Sequence, residues 1–259
     1  MSKAAGVLRI IGASFRNHLK FVVTERTFFI NSLITPLGLS VLFYFVYAGH
    51  PARQVIVAII KAGLLGLWGA NLWGASFILQ GENRLGTIDY LLVTPHSIYP
   101  VLIGKALAVT LASNLSVVVS LFWAEILVGH VQRYLRILPV VVNLLACTYS
   151  FSSIGLMVGV FFISFREPEI LMQFFTYPIY LLSGIAVPVA FFPAMLRFVS
   201  FFIPLYWAQE TMGRLAQGGS LGMGPVIQVA VGTCFLVGAY FVLGKVEKRA
   251  RWIGSFSRY

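Results

Sequence analysis

The sequence has few charged residues, and its acidic side chains and histidines are scattered along the chain. Only 10% of the 259 residues are charged, with 8 Asp or Glu and 4 His, whereas 59% are hydrophobic. A soluble domain of this length could not cover its surface with so few charges. An intramembrane lipid-modifying enzyme usually needs clustered carboxylates or histidines. The composition therefore excludes a soluble domain and leaves such an enzyme as a minor alternative.

The usual motifs for nucleotides, metals and ions are missing as well. Gly104-Lys105 and Gly244-Lys245 lack the upstream glycine and the following Ser or Thr of the phosphate loop GxxxxGK[ST]. Cys147 and Cys234 have no CxxC neighbour, and we interpret them as small core residues. No repeated filter or charge ring indicates a channel. We expect no metal and no cofactor in this chain, so any ATP must bind elsewhere.

Long apolar runs are what the sequence does have. Crossing a hydrocarbon core of about 30 Å takes roughly 20 helical residues, and backbone in lipid must satisfy its own hydrogen bonds. The runs are continuous rather than alternating, which favours helices over strands. We predict an all-α membrane protein with six transmembrane helices, at about 27–48, 55–79, 101–128, 137–165, 170–187 and 225–243.

The chain before the first span predicts an amphipathic helix that lies in the membrane interface. Apolar residues recur there at helical spacing, while the cations fall largely on the other side. The apolar positions are Val7, Ile11, Phe15, Leu19 and Val22. This divides the chain into a cytoplasmic N-terminus (1–26), a permease-like span region (27–244) and a basic cytoplasmic tail (245–259).

The apolar stretch 170–208 is about twice as long as one span requires, and it can be interpreted in two ways. Two spans would give seven crossings, whereas one span followed by a re-entrant hairpin would give six. Both ends of the chain are basic, within a net charge of +11, and the positive-inside rule places both in the cytoplasm. Anionic lipids, rather than nucleic acid, are the expected partner of these cations. We therefore predict an outer re-entrant hairpin at 188–208, entered and broken at Ser183, Gly184, Pro188, Pro193 and Pro204.

The segment 80–96, between the second and third spans, is the clearest polar interruption of the span region. Gly86 permits a sharp entry, Thr87 can cap a short helix, and Pro95 ends it. Ile88, Leu91 and Leu92 would point one way, and Asp89 is the only Asp of the sequence. Such a helix could enter a groove on a soluble partner, or it could simply pack against neighbouring spans. The residues alone leave both alternatives open.

Two blocks of this sequence resemble a known family. The first contains Glu82, Arg84, the run Gly86-Thr87-Ile88-Asp89-Tyr90-Leu91-Leu92-Val93-Thr94-Pro95-His96-Ser97, and Gly104-Lys105. The second contains Leu182-Ser183-Gly184-Ile185-Ala186-Val187-Pro188, Pro193, Pro204-Leu205 and the segment 210–214. In order and layout they are similar to the cytoplasmic signature and the fifth span of type-2 ABC transporter permeases. The family commonly has Glu where this chain has Asp89, and often Asn where it has Ile203.

The resemblance implies a transport subunit rather than an enzyme, in the bacterial inner membrane. Two permeases, identical or paralogous, would dock on ATPase subunits that bind ATP and Mg. The segment from Glu82 to Pro95 would supply the coupling helix seated on the ATPase. The implied coupling residues are Glu82, Arg84, Gly86, Thr87, Ile88, Asp89, Tyr90, Leu91, Leu92, Thr94 and Pro95.

Aromatic residues on the first and fifth spans suggest a cleft for an amphiphilic substrate. The candidate residues are Phe43, Tyr44, Tyr47, Asn71, Phe174 and Tyr177. Helix packing is the default explanation for all of them, with interfacial anchoring as a further one for the aromatic residues. We expect a drug, antibiotic or lipid-like substrate, with polysaccharide or glycolipid export as the alternative.

Overall fold

The computed structural model describes residues 3–88, 90, 97–129, 131, 135–162, 165 and 168–253. Regular structure in these residues is helical, and they contain no strand. The first half consists of α1 (Lys3–Thr24), α2 (Arg26–Phe29), a π turn (Ile30–Ile34), α3 (Thr35–Val46), α4 (Ala52–Ser76) and α5 (Ile78–Arg84). The second half consists of α6 (Tyr99–Ser113), α7 (Leu115–Leu127), α8 (Ile137–Phe162), α9 (Pro168–Leu182), a 3-10 turn (Val189–Phe191), α10 (Ala194–Ser200), α11 (Pro204–Ala216) and α12 (Gly224–Ile253).

Four helical segments within this described part are long and apolar enough to cross a membrane. They are Ala52–Arg84, Tyr99–Leu127, Ile137–Phe162 and Gly224–Arg249. Ile30–Val46 is apolar but shorter, and α9 has 15 residues. The expectation of an all-α, multi-pass membrane protein is therefore confirmed, while these criteria count four spans and not the six that we predicted.

Pro36 changes the form of the first apolar helix. Proline has no backbone N–H to donate to the preceding turn, and the residues before it widen into the π turn. There the Thr35 N–H bonds to the Ile30 carbonyl, and the Thr35 hydroxyl donates to the same carbonyl at 3.1 Å. The irregularity before Pro36 is thus a local widening that keeps the backbone hydrogen-bonded.

The α4 helix lies at the centre and packs against α3, α6, α7 and α8. Small residues allow these close contacts, since a Cβ added to Gly63 would lie 2.8 Å from Ser120, and one added to Gly155 would lie 2.7 Å from Ala75. Cys147 is buried as expected, whereas Cys234 is exposed, and our interpretation of it as a core residue is wrong. Its position on α12 points away from the core.

Segment 183–216 is a turn followed by short helices rather than one continuous span. Gly184 has φ +83, and a Cβ there would lie 2.8 Å from Val189, so a larger residue would be both strained and crowded. Pro193 precedes α10, and Pro204 is in the first turn of α11. The exposed residues before α11 are largely apolar, with Phe191 78% and Met195 81% accessible. The chain therefore breaks at the predicted glycine and prolines, while the predicted depth of this hairpin in the membrane stays a prediction.

Both terminal helices meet the rest of the protein at the same end, which we call the joint end. The Ser14 hydroxyl of α1 donates to the Val101 carbonyl of α6 at 2.8 Å. The Ser97 hydroxyl donates to Glu247 of α12 at 3.0 Å. One buried cluster there includes Val22 of α1, Ile88, Ile98, Leu102 and Leu243 of α12. The predicted tail continues α12 without a break as far as Ile253.

Candidate functional site

A partly buried ion pair links the polar segment to the next long helix at the joint end. The Lys105 ammonium of α6 contacts Glu82 Oε1 of α5, and the two side chains are 18% and 14% accessible. The Thr87 hydroxyl donates to Glu82 Oε2 at 2.5 Å. Both carboxylate oxygens are therefore engaged, one by an ion on α6 and the other by the turn that follows α5. Movement of this turn would act directly on α6.

The N-terminal helix packs onto the same place. A Cβ at Gly104 would lie 2.9 Å from Ser14 Cβ and 3.0 Å from the Phe15 nitrogen, so glycine permits this helix crossing. His18, one turn further along α1, has its pKa lowered to about 4 by burial and then by the Lys105 charge, with Glu82 opposing them. The imidazole is therefore neutral at neutral pH and packs beside the ion pair as an uncharged group. Sequence patterns had suggested a lipid-facing helix here and gave no signal for His18.

The polar segment turns sharply after α5, as its glycine predicted. Gly86 has φ +68 with open space around its Cα, and the Thr87 N–H bonds to the Glu82 carbonyl at 3.0 Å. Ile88 is helical and 1% accessible, whereas Tyr90 is helical and 78% accessible. The segment is thus anchored in the protein's own core by one side chain and presents another outward.

The rest of the predicted coupling helix lies outside the described residues. These positions are Asp89, Leu91, Leu92, Thr94 and Pro95. The predicted role of Thr87 as the N-cap of this helix involves the same positions and stays a prediction. Packing in the protein's own core accounts for Ile88, whereas Tyr90 is exposed, and contact of this segment with a soluble partner stays a prediction.

A second, exposed ion pair ties α5 to the start of α9. Arg84 Nη2 lies 2.7 Å from Glu169 Oε1, with side chains 71% and 44% accessible. Exposed pairs of this kind contribute about 0–1 kcal/mol. Its main information is spatial, because it places the end of α5 next to the first turn of α9.

The residues of the proposed substrate cleft occupy different environments. Asn71 is fully buried, donates from Nδ2 to the Phe151 carbonyl at 2.8 Å and accepts from the Thr110 hydroxyl at 2.5 Å. Tyr44 and Tyr47 pack against the core, and Phe43 is half-buried. Phe174 and Tyr177 are 70% and 72% accessible. Asn71 thus contributes to packing between helices, and the cleft stays a prediction.

Glu125, near the end of α7, has a partner in the local backbone. Glu125 accepts a bond from the Val131 N–H at 2.8 Å, so it holds the turn after α7. Among the described residues, no group of three or more His, Cys, Asp or Glu is placed to hold a metal ion.

Apolar helices of spanning length, joined at one end by an interhelical ion pair and a tight polar turn, define a polytopic membrane protein with a candidate force-transmitting joint. Residues 11–213 match the family model described as ABC-2 type transporter, so the match runs from within α1 to within α11. The chain therefore belongs to the ABC-2 type transporter family. None of the curated proteins compared with the chain matches it.

Proposed function

We propose that this protein is the transmembrane subunit of an ATP-driven exporter in the bacterial inner membrane. The observation that carries the proposal is the ABC-2 family match over residues 11–213, which includes the whole joint except the end of α12. The chain lacks a phosphate loop of its own, so ATP and Mg would bind to a separate ATPase subunit. A second permease, a copy or a paralogue, would complete the membrane part.

Six crossings with both termini in the cytoplasm fit the arrangement of the helices best. Four long segments cross on length and composition, and the shorter Ile30–Val46 and Pro168–Leu182 helices would supply the other two. At 1.5 Å per residue, Pro168–Leu182 is about 22 Å long, which is shorter than the hydrocarbon core. Either the bilayer would thin around this helix, or the outer hairpin at 188–208 would span the remaining thickness. The meeting of α1 and α12 at the joint end supports an even number of crossings, and their cations favour the cytoplasm.

In this proposal, the ATPase pushes on the segment 82–95, and the joint passes that movement into the membrane. Ile88 anchors the turn in the core, whereas Tyr90 is exposed. A push on Tyr90 would therefore move the whole turn together with its anchor. Glu82 is held on both sides by Lys105 and Thr87, which transmits the displacement to α6. The neighbouring α1 helix, packed on α6 at Gly104, would move with it. Tilting of these helices would open an outward path.

The substrate class that we favour is hydrophobic or amphiphilic. Phe174 and Tyr177 present exposed aromatic surface on α9, which suits a lipid-like, drug or antibiotic molecule entering from the bilayer. A glycolipid would use the same surface through its acyl chains. A panel of hydrophobic cations, glycolipids and peptides, scored by ATPase stimulation of the reconstituted complex, would identify the class.

The coupling proposal is tested by two glycines with the same backbone strain at opposite ends of the protein. Gly86 (φ +68) and Gly49 (φ +89) both have open space around them, so Gly86→Val and Gly49→Val impose similar strain, about 1–2 kcal/mol. In the complex with its ATPase subunit, Gly86→Val should lower substrate-stimulated ATPase activity at least tenfold. Gly49→Val should change it less than threefold. Membrane insertion should be normal in both.

Equal effects of the two valines would refute the coupling role of the 82–95 turn. Transport by the purified chain without any ATPase subunit would refute the proposed function itself.

A further inference from the structure

The joint end contains a cleft of 450 Å³ that the coupling proposal does not use. It lies between the start of α6 and the last turns of α12, and its walls include Ser97, Tyr99, Tyr240, Lys245, Lys248 and Arg251. Its volume is within the range of small-molecule sites, about 300–1,000 Å³. The cleft is therefore large enough for a polar headgroup.

Positive charge is concentrated on one wall of this cleft. Lys245, Lys248 and Arg251 all line it, and among the described residues of its walls Glu247 is the only carboxylate. That carboxylate is already engaged, by Arg251 Nη2 at 2.8 Å and by the Ser97 hydroxyl at 3.0 Å. Within the described part of the chain, Lys245 and Lys248 form no ion pair. Two cations thus face the cleft with no counter-charge from the residues that the structure describes.

The other wall is aromatic and continues along the membrane-facing surface of α12. Tyr99 and Tyr240 pack edge to face with ring centroids 5.2 Å apart, and the Tyr99 hydroxyl donates to the Leu236 carbonyl at 2.5 Å. Tyr240 and Phe241 are 53% and 63% accessible. An apolar surface therefore leads directly from the cations toward the bilayer.

The length of α12 puts the cations at the depth of lipid headgroups. Its 30 residues extend about 45 Å, whereas the hydrocarbon core is about 30 Å thick. The last turns, from Lys245 onward, therefore emerge at the interface, and the tyrosines lie just inside it, where such rings are favoured.

We propose that this cleft binds one anionic phospholipid, with its phosphate between Lys245 and Lys248 and an acyl chain along Tyr240 and Phe241. The charge selects an anionic ligand, and the adjoining aromatic surface selects a lipid over a free phosphate ester. The site does not depend on the coupling proposal, because it requires only that α12 spans the membrane.

Native mass spectrometry of the full-length chain in detergent micelles tests the site. The probes are phosphatidylglycerol, phosphatidylcholine and soluble glycerol 3-phosphate. The wild-type chain should retain one phosphatidylglycerol in preference to phosphatidylcholine, and glycerol 3-phosphate should not displace it. Equal retention of the two lipids would overturn the proposal, and displacement by glycerol 3-phosphate at comparable concentration would assign the site to a soluble anion instead.

Charge variants locate the binding to the cleft. A cation near the surface contributes about 1 kcal/mol, or about fivefold, so Lys245→Gln with Lys248→Gln should weaken phosphatidylglycerol binding about 30-fold. Arg9→Gln with Lys20→Gln removes the same charge from exposed positions on α1 and should weaken it less than threefold. Equal losses in the two pairs would mean general surface attraction and would refute a defined site.

A space-filling variant tests the cleft without changing its charge. Gly244 lies on the cleft wall, and a Cβ there would meet nothing within 4 Å. Gly244→Trp should lower phosphatidylglycerol retention at least tenfold relative to the wild-type chain. Gly244→Ala should change it less than twofold. Retention by the tryptophan variant would show that the lipid lies elsewhere.

Discussion

The Glu82–Lys105 pair should be worth far more to this protein than the exposed Arg84–Glu169 pair. The perturbation that tests this is Glu82→Gln, which removes the charge and keeps nearly the same shape. Lys105 would then remain 18% accessible with no counter-charge. Breaking a fully buried pair in this way costs about 3–5 kcal/mol. Because this pair retains some access to water, we expect about 2 kcal/mol, which lowers the apparent melting temperature by about 4–8 °C for a chain of this size.

A double-mutant cycle separates the pair from the other bonds of Glu82. Glu82→Gln, Lys105→Met and the double variant are compared by thermal unfolding in detergent micelles, because the cycle isolates the pairwise energy. We expect the double variant to be more stable than the sum of the single losses predicts, by at least 1 kcal/mol. The matched control, Arg84→Gln, should cost no more than about 0.5 kcal/mol.

The same variants report on coupling. In the reconstituted complex, Glu82→Gln should lower substrate-stimulated ATPase activity more than Arg84→Gln does. A coupling energy below about 0.5 kcal/mol, or equal effects of Glu82→Gln and Arg84→Gln on melting temperature, would refute the reasoning that burial and double anchoring make Glu82 the joint's central residue.

Two further predictions follow from single side chains. Because burial lowers the His18 pKa from 6.5 to about 4, the unfolded chain binds more protons between these values, so stability should fall as pH drops from 6.5 to 4 and level off below 4. Melting temperatures across that range should show the slope, His18→Gln should flatten it, and an unchanged slope would contradict the buried imidazole. Asn71→Leu should lower stability by about 1–3 kcal/mol, because it removes the buried bonds of Asn71 to the Phe151 carbonyl and to the Thr110 hydroxyl. The pattern of ATPase stimulation across substrates should be unchanged, and a changed substrate preference would instead place Asn71 in the cleft.

The sequence predicted some elements of this protein more fully than others. Gly86 was expected to permit a sharp turn, and it has a positive φ, as does Gly184, which was assigned to the hairpin. Glycine adopts that conformation with little strain. The prediction that α1 is a helix was correct. Its apolar stripe, however, ends in Val22, which is 5% accessible because it packs in a buried cluster of the protein itself. An amphipathic pattern reports that one face is apolar, and it cannot report whether lipid or another helix covers that face.

The interacting side chains were harder to find than the segments that hold them. Glu82 and Lys105 were both inside the quoted motif, but nothing in their spacing of 23 residues indicates a contact. Glu247 gave no signal at all, although it is 7% accessible and bonds to Ser97, 150 residues earlier. For Asn71, helix packing was the default explanation, and its two partners agree with that, although the sequence did not identify them.

The sequence by itself determined that this chain is helical and membrane-embedded, with basic ends and one polar internal turn. Those properties depend on local composition, because the length of an apolar run and the position of a glycine or cation can be read from one stretch of sequence. Only the tertiary structure decided which side chains meet at the joint end. Contacts such as Lys105 with Glu82 exist because α6 crosses α1 closely at Gly104 and begins beside α5. The packing of separate helices is a property that no single segment contains.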